Sequence, residues 1–260
     1  MTGRGETNVT LKSAADIEKM EAAGRVVEEV LNLLERAVAA GVTTEELDEL
    51  AAAHIKRRGA SASFLGYHGY PRSICTSVNS QVVHGIPGKY RLKSGDIVSC
   101  DVGAYLDGFH GDAARTFLVG DVDPKVEALV RVTRECFFKA LAVCRVGFRI
   151  SDVARAVQSH AEAHGYGVVR EMIGHGIGRR MHEPPDVPNY WDTRRFGHGL
   201  RLVEGMAIAI EPMINLGRKE LRILEDEWTA VTRDGSLSAQ FEQTVLVTED
   251  GCESLTPWQD

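Results

Sequence analysis

The 260-residue chain sets 30 Lys and Arg against 37 Asp and Glu, a net charge of -7 with neutral histidines, and is 43% hydrophobic. It is long and apolar enough to bury one large core, and its acidic balance argues against a general nucleic-acid binder. No run approaches the ~20 apolar residues that cross a bilayer. The polar opening MTGRGETNVTLK lacks the apolar centre of a signal peptide. Cys75, Cys100, Cys136, Cys144 and Cys252 are scattered, odd in number and free of CxxC spacing, which suggests reduced thiols rather than a disulfide framework or structural zinc. A cytoplasmic protein is therefore expected, with no membrane and no sequence-specific nucleic-acid partner.

After a short segment, 1–12, SAADIEKMEAAGRVVEEVLNLLERAVAA spaces its apolar residues as a long amphipathic helix. A second helix, TTEELDELAAAHIKRRGA, opens on the capping box Thr43-x-x-Glu46. Short strands follow to about residue 120. Asp123 and Pro124 supply an N-cap and a first-turn proline for KVEALVRVTRECFFKALAVCRVG, and Ser151 is expected to cap DVARAVQSHAEAHGYG. Strands then run to about residue 249. GVTTEELDELAAAHIKRRGA and GFRISDVARAVQSHAEAHGYG can be laid side by side as one design used twice. The predicted fold is a single α+β domain over 13–257, built of two similar halves (about 13–120 and 121–257). Each half lays helices on an antiparallel sheet, and a site between the halves is expected.

The stretch DVGAYLDGFHGDAARTFLVG, 101–120, predicts a β-hairpin with an acid on each arm. If Leu106-Asp107 is the two-residue loop, Asp101 faces Asp112 with Cβ atoms about 5 Å apart. If Asp107-Gly108 is the loop, the two acids are diagonal neighbours on one face. Three further residues sit in similar surroundings. His175 lies in IGHGIG, where glycines let the backbone crowd a ligand or turn tightly, and Arg179 breaks the GxGxxG dinucleotide pattern. Glu211 ends GMAIAIEPMI, and Glu242 interrupts SAQFEQTVLVTEDG. Alone, each acid reads more simply as solvent-facing or salt-bridged. Together, in apolar β-rich segments, they imply a desolvation and repulsion cost that a cation would neutralise. Two Asp, one His and two Glu suit Mn, Fe, Co or Zn and offer no thiolate for a soft metal. Four carboxylates exceed the needs of one catalytic ion, whereas two ions about 3.5–4 Å apart would use them all.

In this order and spacing, FLGYHGYPRSICTSVN, VVHGIPG, DVGAYLDGFHGDAARTF, GHGIGRRMHEPP, IEPM and SAQFEQTVLVTEDGCESLT resemble the type I methionine aminopeptidases, from about Val9 to Leu255. The resemblance implies the pita-bread fold, two pseudo-symmetric halves with helices packed on a curved antiparallel sheet. It also implies two divalent metal ions, with Co, Mn, Fe, Zn and Ni all admissible. Asp101 would hold the first ion, His175 and Glu211 the second, and Asp112 and Glu242 would bridge both. His84 would contact the scissile amide nitrogen and His182 the carbonyl oxygen, while Glu211 would also move the water proton. Tyr67, Tyr70, Cys75, Trp228, Phe64 and Met181 would line the methionine pocket. The implied substrates are nascent polypeptide N-termini with a small second residue, and a transient ribosome association goes with them. Without the resemblance, His84 and His182 read as loop histidines and the aromatics as core.

His54, His68, His110, His160, His164 and His198 receive no catalytic role, although His110 shares the expected face of Asp112. Some positions depart from the common bacterial pattern. Phe64 stands where a small residue is usual, Met181 replaces an aromatic, and Gln243 follows Glu242 where His is frequent. The Arg- and Pro-rich stretch 183–203 looks extended, fitting either a surface loop or a contact surface. Two alternatives share the fold: an Xaa-Pro aminopeptidase or prolidase, and a non-catalytic pita-bread binding protein. The first is expected to carry an extra N-terminal domain, where about a dozen residues precede the first helix here; the second would have lost ligands, and all five are present. Serine-hydrolase and HExxH motifs are missing.

Overall fold

Side-chain caps decide where the helices begin. Ser13 and Asp16, and likewise Thr43 and Glu46, exchange side-chain-to-backbone hydrogen bonds that open α1 (Ala14–Ala37) and α2 (Thr44–Arg57). Asp123 accepts from the Lys125 N–H to start α3 (Pro124–Leu141). The expected Ser151 cap is not used. α4 (Ile150–Ala163) begins earlier, with Arg149 as N-cap, because the Asp152 carboxylate accepts the Arg149 N–H at 2.8 Å. Ser151 lies buried in the first turn, where its hydroxyl donates to the His198 carbonyl. The computed structural model describes residues 9–258. Most of the expected N-terminal segment, including Met1 and Thr2, therefore lies outside the described residues.

Nine strands form the main sheet. Numbered along the chain within it, they are β1 (Ser61–Ala62), β2 (Cys75–Val78), β3 (Ile97–Leu106), β4 (Phe109–Leu118), β5 (Gly174–Gly176), β6 (Glu183–Val187), β7 (Ala207–Ile210), β8 (Glu242–Val247) and β9 (Cys252–Ser254). The order is β1-β3-β4-β8-β7-β5-β6, with β2 beside β3 and β9 beside β8, and every pairing is antiparallel. Strand β8 therefore joins the β3–β4 hairpin to strands contributed much later in the chain, from Gly174 onward.

Alternation along β3 sorts its side chains. Val98, Cys100, Val102 and Ala104 are buried with Val27, Leu31 and Leu34 of α1 and Leu47 and Ala51 of α2, which leaves Asp101 on the opposite face. A second cluster packs Leu129, Val132 and Phe137 of α3 and Val153 and Val157 of α4 against Ile208, Ile210, Val245 and Val247. Each helix pair thus covers its own stretch of sheet. The stretch 183–203 is not simply a surface loop: it contains β6 and the short helix α5 (Thr193–Phe196), and it buries Tyr190 and Leu202.

The hairpin register is the second of the two expected. Leu106 pairs with Phe109, so Asp107-Gly108 forms the loop, with φ of 50° and 87°. Both values are the left-handed ones a type I′ turn requires. Asp101 consequently pairs with Ala114 and Asp112 with Gly103, and the acids are diagonal rather than directly opposed.

Candidate active site

One row of paired residues crosses four strands: Cys75, Asp101, Ala114 and Glu242. Asp112 lies two residues from Ala114 on the same face of β4, so the small Ala114 leaves room for three acids around it. His175 comes from β5, and Glu211 directly follows β7. A Cβ on Gly176 would sit 2.2 Å from the Pro184 carbonyl oxygen, so this glycine lets β5 lie against neighbouring backbone beside His175. That is one use made of the IGHGIG glycines.

The His175 Nδ1–H donates to the Gly176 carbonyl at 2.9 Å, which presents the Nε2 lone pair. Nε2 lies 3.8 Å from both Asp112 Oδ2 and Glu211 Oε1. Ligand atoms of Asp112, His175 and Glu242 all fall within 4.8 Å of one another. Asp101 Oδ1, Asp112 Oδ1 and Glu242 Oε1 are buried without a hydrogen-bond partner. Buried carboxylate oxygens so arranged are costly unless something positive meets them, and the oxygen-rich set with one imidazole fits a divalent ion.

Electrostatics agree. Burial lifts the Asp101 carboxyl from its ordinary 3.8 to about 7. Asp112 is pushed well up by burial, then by the charges of Glu242 and Asp101. Glu211 and Glu242 rise for the same first reason, reinforced by neighbouring acids. Burial, aided by His182, lowers His175 to about 3, so its imidazole is neutral and able to donate a lone pair.

A cavity of about 170 Å³ opens over these residues. Its lining comprises the four acids and the histidine just described together with His84, His182, Tyr67, Tyr70, Cys75, Trp228, Phe64 and Met181. Every site residue singled out from the sequence is thus brought into one cavity. His84 sits in the left-handed region at φ 58°, and burial lowers its imidazole to about 4. Its turn is pinned by the Gly85 N–H donating to Ser77 Oγ and by the Tyr70 hydroxyl donating to the Gly85 carbonyl. Tyr70 in turn meets Trp228 edge-on, with ring centroids 5.1 Å apart. Phe64 reaches the cavity because position 103 is glycine: a Cβ there would lie 2.8 Å from Phe64 Cε1.

His110 is not among the lining residues. Its Nδ1 is 2.9 Å from Ser63 Oγ and its ring packs on Tyr105, so the shared face of the hairpin does not carry it into the site.

Three supporting contacts escaped sequence reasoning. Tyr67 Oη lies 2.6 Å from His182 Nδ1. Asn189 Nδ2 donates to the Glu211 carbonyl at 2.9 Å. Thr244 Oγ1 accepts the Asp112 N–H and donates to its carbonyl. Only Thr244, two residues beyond Glu242 on the same strand face, left a signal that could have been read.

A sheet of antiparallel strands backed by helices, with acids and a histidine converging on one cavity, offers a candidate divalent-metal centre. Residues 18–249 match metallopeptidase family M24, and the chain belongs to that family. It is 49% identical over 248 residues to a methionine aminopeptidase of Clostridium perfringens, across 95% of this chain and 98% of that one. The crystal structure of methionine aminopeptidase from Rickettsia prowazekii superposes with a TM-score of 0.93 at 44% identity, covering 96% of this chain and 100% of that chain. The fold is the pita-bread fold. A prolidase from Pyrococcus furiosus shares it at a TM-score of 0.76 and 23% identity, with 96% of this chain covering 66% of that one.

Proposed function

We propose that the protein is a methionine aminopeptidase that removes the initiator methionine from nascent proteins and peptides whose second residue is small. The observation that carries this reading is the single cavity in which unpartnered carboxylate oxygens adjoin a half-apolar pocket. Identity of 49% with a protein of that name, across almost the whole chain, supports it.

Asp101 would hold one divalent ion, His175 and Glu211 a second, and Asp112 and Glu242 would be shared between the two; Co, Mn, Fe, Zn and Ni would all suit the set. When bound, such ions polarise a carbonyl and make hydroxide available near neutral pH. Glu211 accepts the water proton and returns it toward the leaving amine. His182 faces the carbonyl oxygen. If Tyr67 donates to its Nδ1, His182 presents Nε2–H as a donor to the developing oxyanion. His84 meets the scissile amide nitrogen. Phe64, Tyr67, Tyr70, Cys75, Met181 and Trp228 surround an unbranched thioether side chain. A bulky second residue displaces the reacting carbonyl, and misplacement by about 1 Å costs roughly 10²-fold.

No helix among the described residues is long and apolar enough to cross a membrane. We place the protein in the cytoplasm, acting on chains in transient association with the ribosome. The test is a peptide panel of Met-Ala, Met-Leu, Met-Lys and Xaa-Pro substrates, with metal removed and restored. Met-Ala cleavage that depends on metal is expected. Substantial Xaa-Pro turnover without methionine release would overturn the reading, and Met-Lys cleaved as fast as Met-Ala would overturn the small-residue rule.

A further inference from the structure

A second group of metal-ligating side chains gathers away from the cavity, where α3 and α4 lie side by side. Glu135 of α3, His160 in the last turn of α4 and His164 at its C-cap each offer one ligand atom, and these atoms lie within 4.8 Å of one another. Residues four apart project from one face of a helix, so the two imidazoles stand one above the other. Their rings meet edge-on, with centroids 4.7 Å apart.

His164 is oriented as a ligand is. His164 Nδ1–H donates to the His160 carbonyl at 2.9 Å, leaving the Nε2 lone pair outward; a backbone carbonyl on the other ring nitrogen is how metal-binding histidines are fixed. A ring contact with Tyr166 further restrains that imidazole. His160 Nε2 is 2.8 Å from Glu135 Oε2, while Arg131 pairs with the other oxygen of Glu135 and fixes the carboxylate. The last carbonyls of α4 add negative potential at the same end. Glu135 and His160 are half-buried and His164 is exposed, so ions have access.

We propose that Glu135, His160 and His164 form a binding site for a divalent transition-metal ion, separate from the catalytic cavity, that clips α3 to α4. Two imidazoles and one carboxylate suit Zn(II), Ni(II) or Cu(II), and supply too few oxygens for Ca(II) or Mg(II). A tetrahedral ion with bonds of about 2.0–2.1 Å holds its donors about 3.3 Å apart, a closure that side-chain rotation at a helix end supplies. Water completes the coordination. Because the ion binds the folded helix pair and not the unfolded chain, occupancy stabilises the protein.

The test compares the full chain with His164→Ala and Glu135→Gln in equilibrium dialysis against zinc, up to about 100 μM free ion. Both variants are expected to bind one zinc fewer than the parent while keeping its peptidase rate. Cu(II) added to the parent should give an electron-spin-resonance signal coupled to two imidazole nitrogens, falling to one in His164→Ala. The difference in ion count is independent of what the cavity holds, so it stands or falls apart from the peptidase reading. Equal zinc counts in the parent and both variants would show that the cluster is only a hydrogen-bonded pair with a neighbouring imidazole.

Discussion

Asp112→Asn should move activity and metal-free stability in opposite directions. Asp112 is buried, its Oδ1 has no partner, and burial with the charges of Glu242 and Asp101 pushes its carboxyl well up. An acid whose folded pKa exceeds its unfolded value gives its full stability below the unfolded value, about 4, and loses it as pH climbs through the folded one. Over that window folding retains a proton that the unfolded chain releases, so stability falls by about 1.4 kcal/mol per pH unit for each such acid. Asn cannot titrate, and it removes one of the charges that raise Glu211. Above the unfolded value the metal-free variant should therefore gain on the parent as pH rises from 5 to 7. Turnover should nevertheless be nearly abolished, since Asp112 is assigned to both ions. Urea unfolding of chelated parent and variant at the two pH values measures the first effect; peptide release at saturating metal measures the second. A chelated variant less stable than the parent at pH 7 would refute the linkage argument, and near-normal turnover with unchanged metal content would refute the bridging assignment.

Alanine at His84 or His182 should lower turnover by about 10²-fold while leaving metal content intact; a calorimetric titration showing the loss of an ion would instead make that histidine a ligand. Tyr67→Phe removes the 2.6 Å contact to His182 and frees its tautomer, so turnover should fall about 3- to 10-fold, in line with one hydrogen bond. Parent-like rates at every pH would show that the ring is held by other contacts. Gly103→Ala drives a methyl into Phe64 and the Ser63 Cβ, both at 2.8 Å, and should raise KM for methionine peptides at unchanged metal content. An unchanged KM would remove Phe64 from the pocket wall.

The cavity residues were legible because acids inside apolar, β-prone segments are conspicuous, and because their ordered motifs carried the family resemblance. The hairpin register was written there too: a loop of Leu106-Asp107 would demand left-handed φ at a leucine, whereas Asp107 and Gly108 adopt it readily. Ser151 misled because its residue type favours caps, yet the Asp152 carboxylate caps the helix from inside, with the N-cap at Arg149, two residues earlier. The stretch 183–203 reads as loop from its Pro and Arg content, but Tyr190 and Leu202 reach the core behind β7, a depth no local pattern reveals. The contact of Tyr67 with His182 joins loops 115 residues apart and exists only once the sheet has formed.

The order in which the proposed ligands occur along the chain bears on synthesis. Asp101 and Asp112 emerge first, on a hairpin that α1 and α2 cover with residues made earlier still. His175 and Glu211 come later, and Glu242 last, on the strand that stitches the two sides of the sheet together. A growing chain therefore displays only two of the five proposed ligands for much of its synthesis, and those two are diagonal neighbours without the imidazole of His175. So sparse a pair is a poor trap for stray cations. The acid that most raises Asp112 is also the one that arrives last, so strong repulsion and strong affinity appear in the same folding event. The chain becomes greedy for metal only when it is ready to use it.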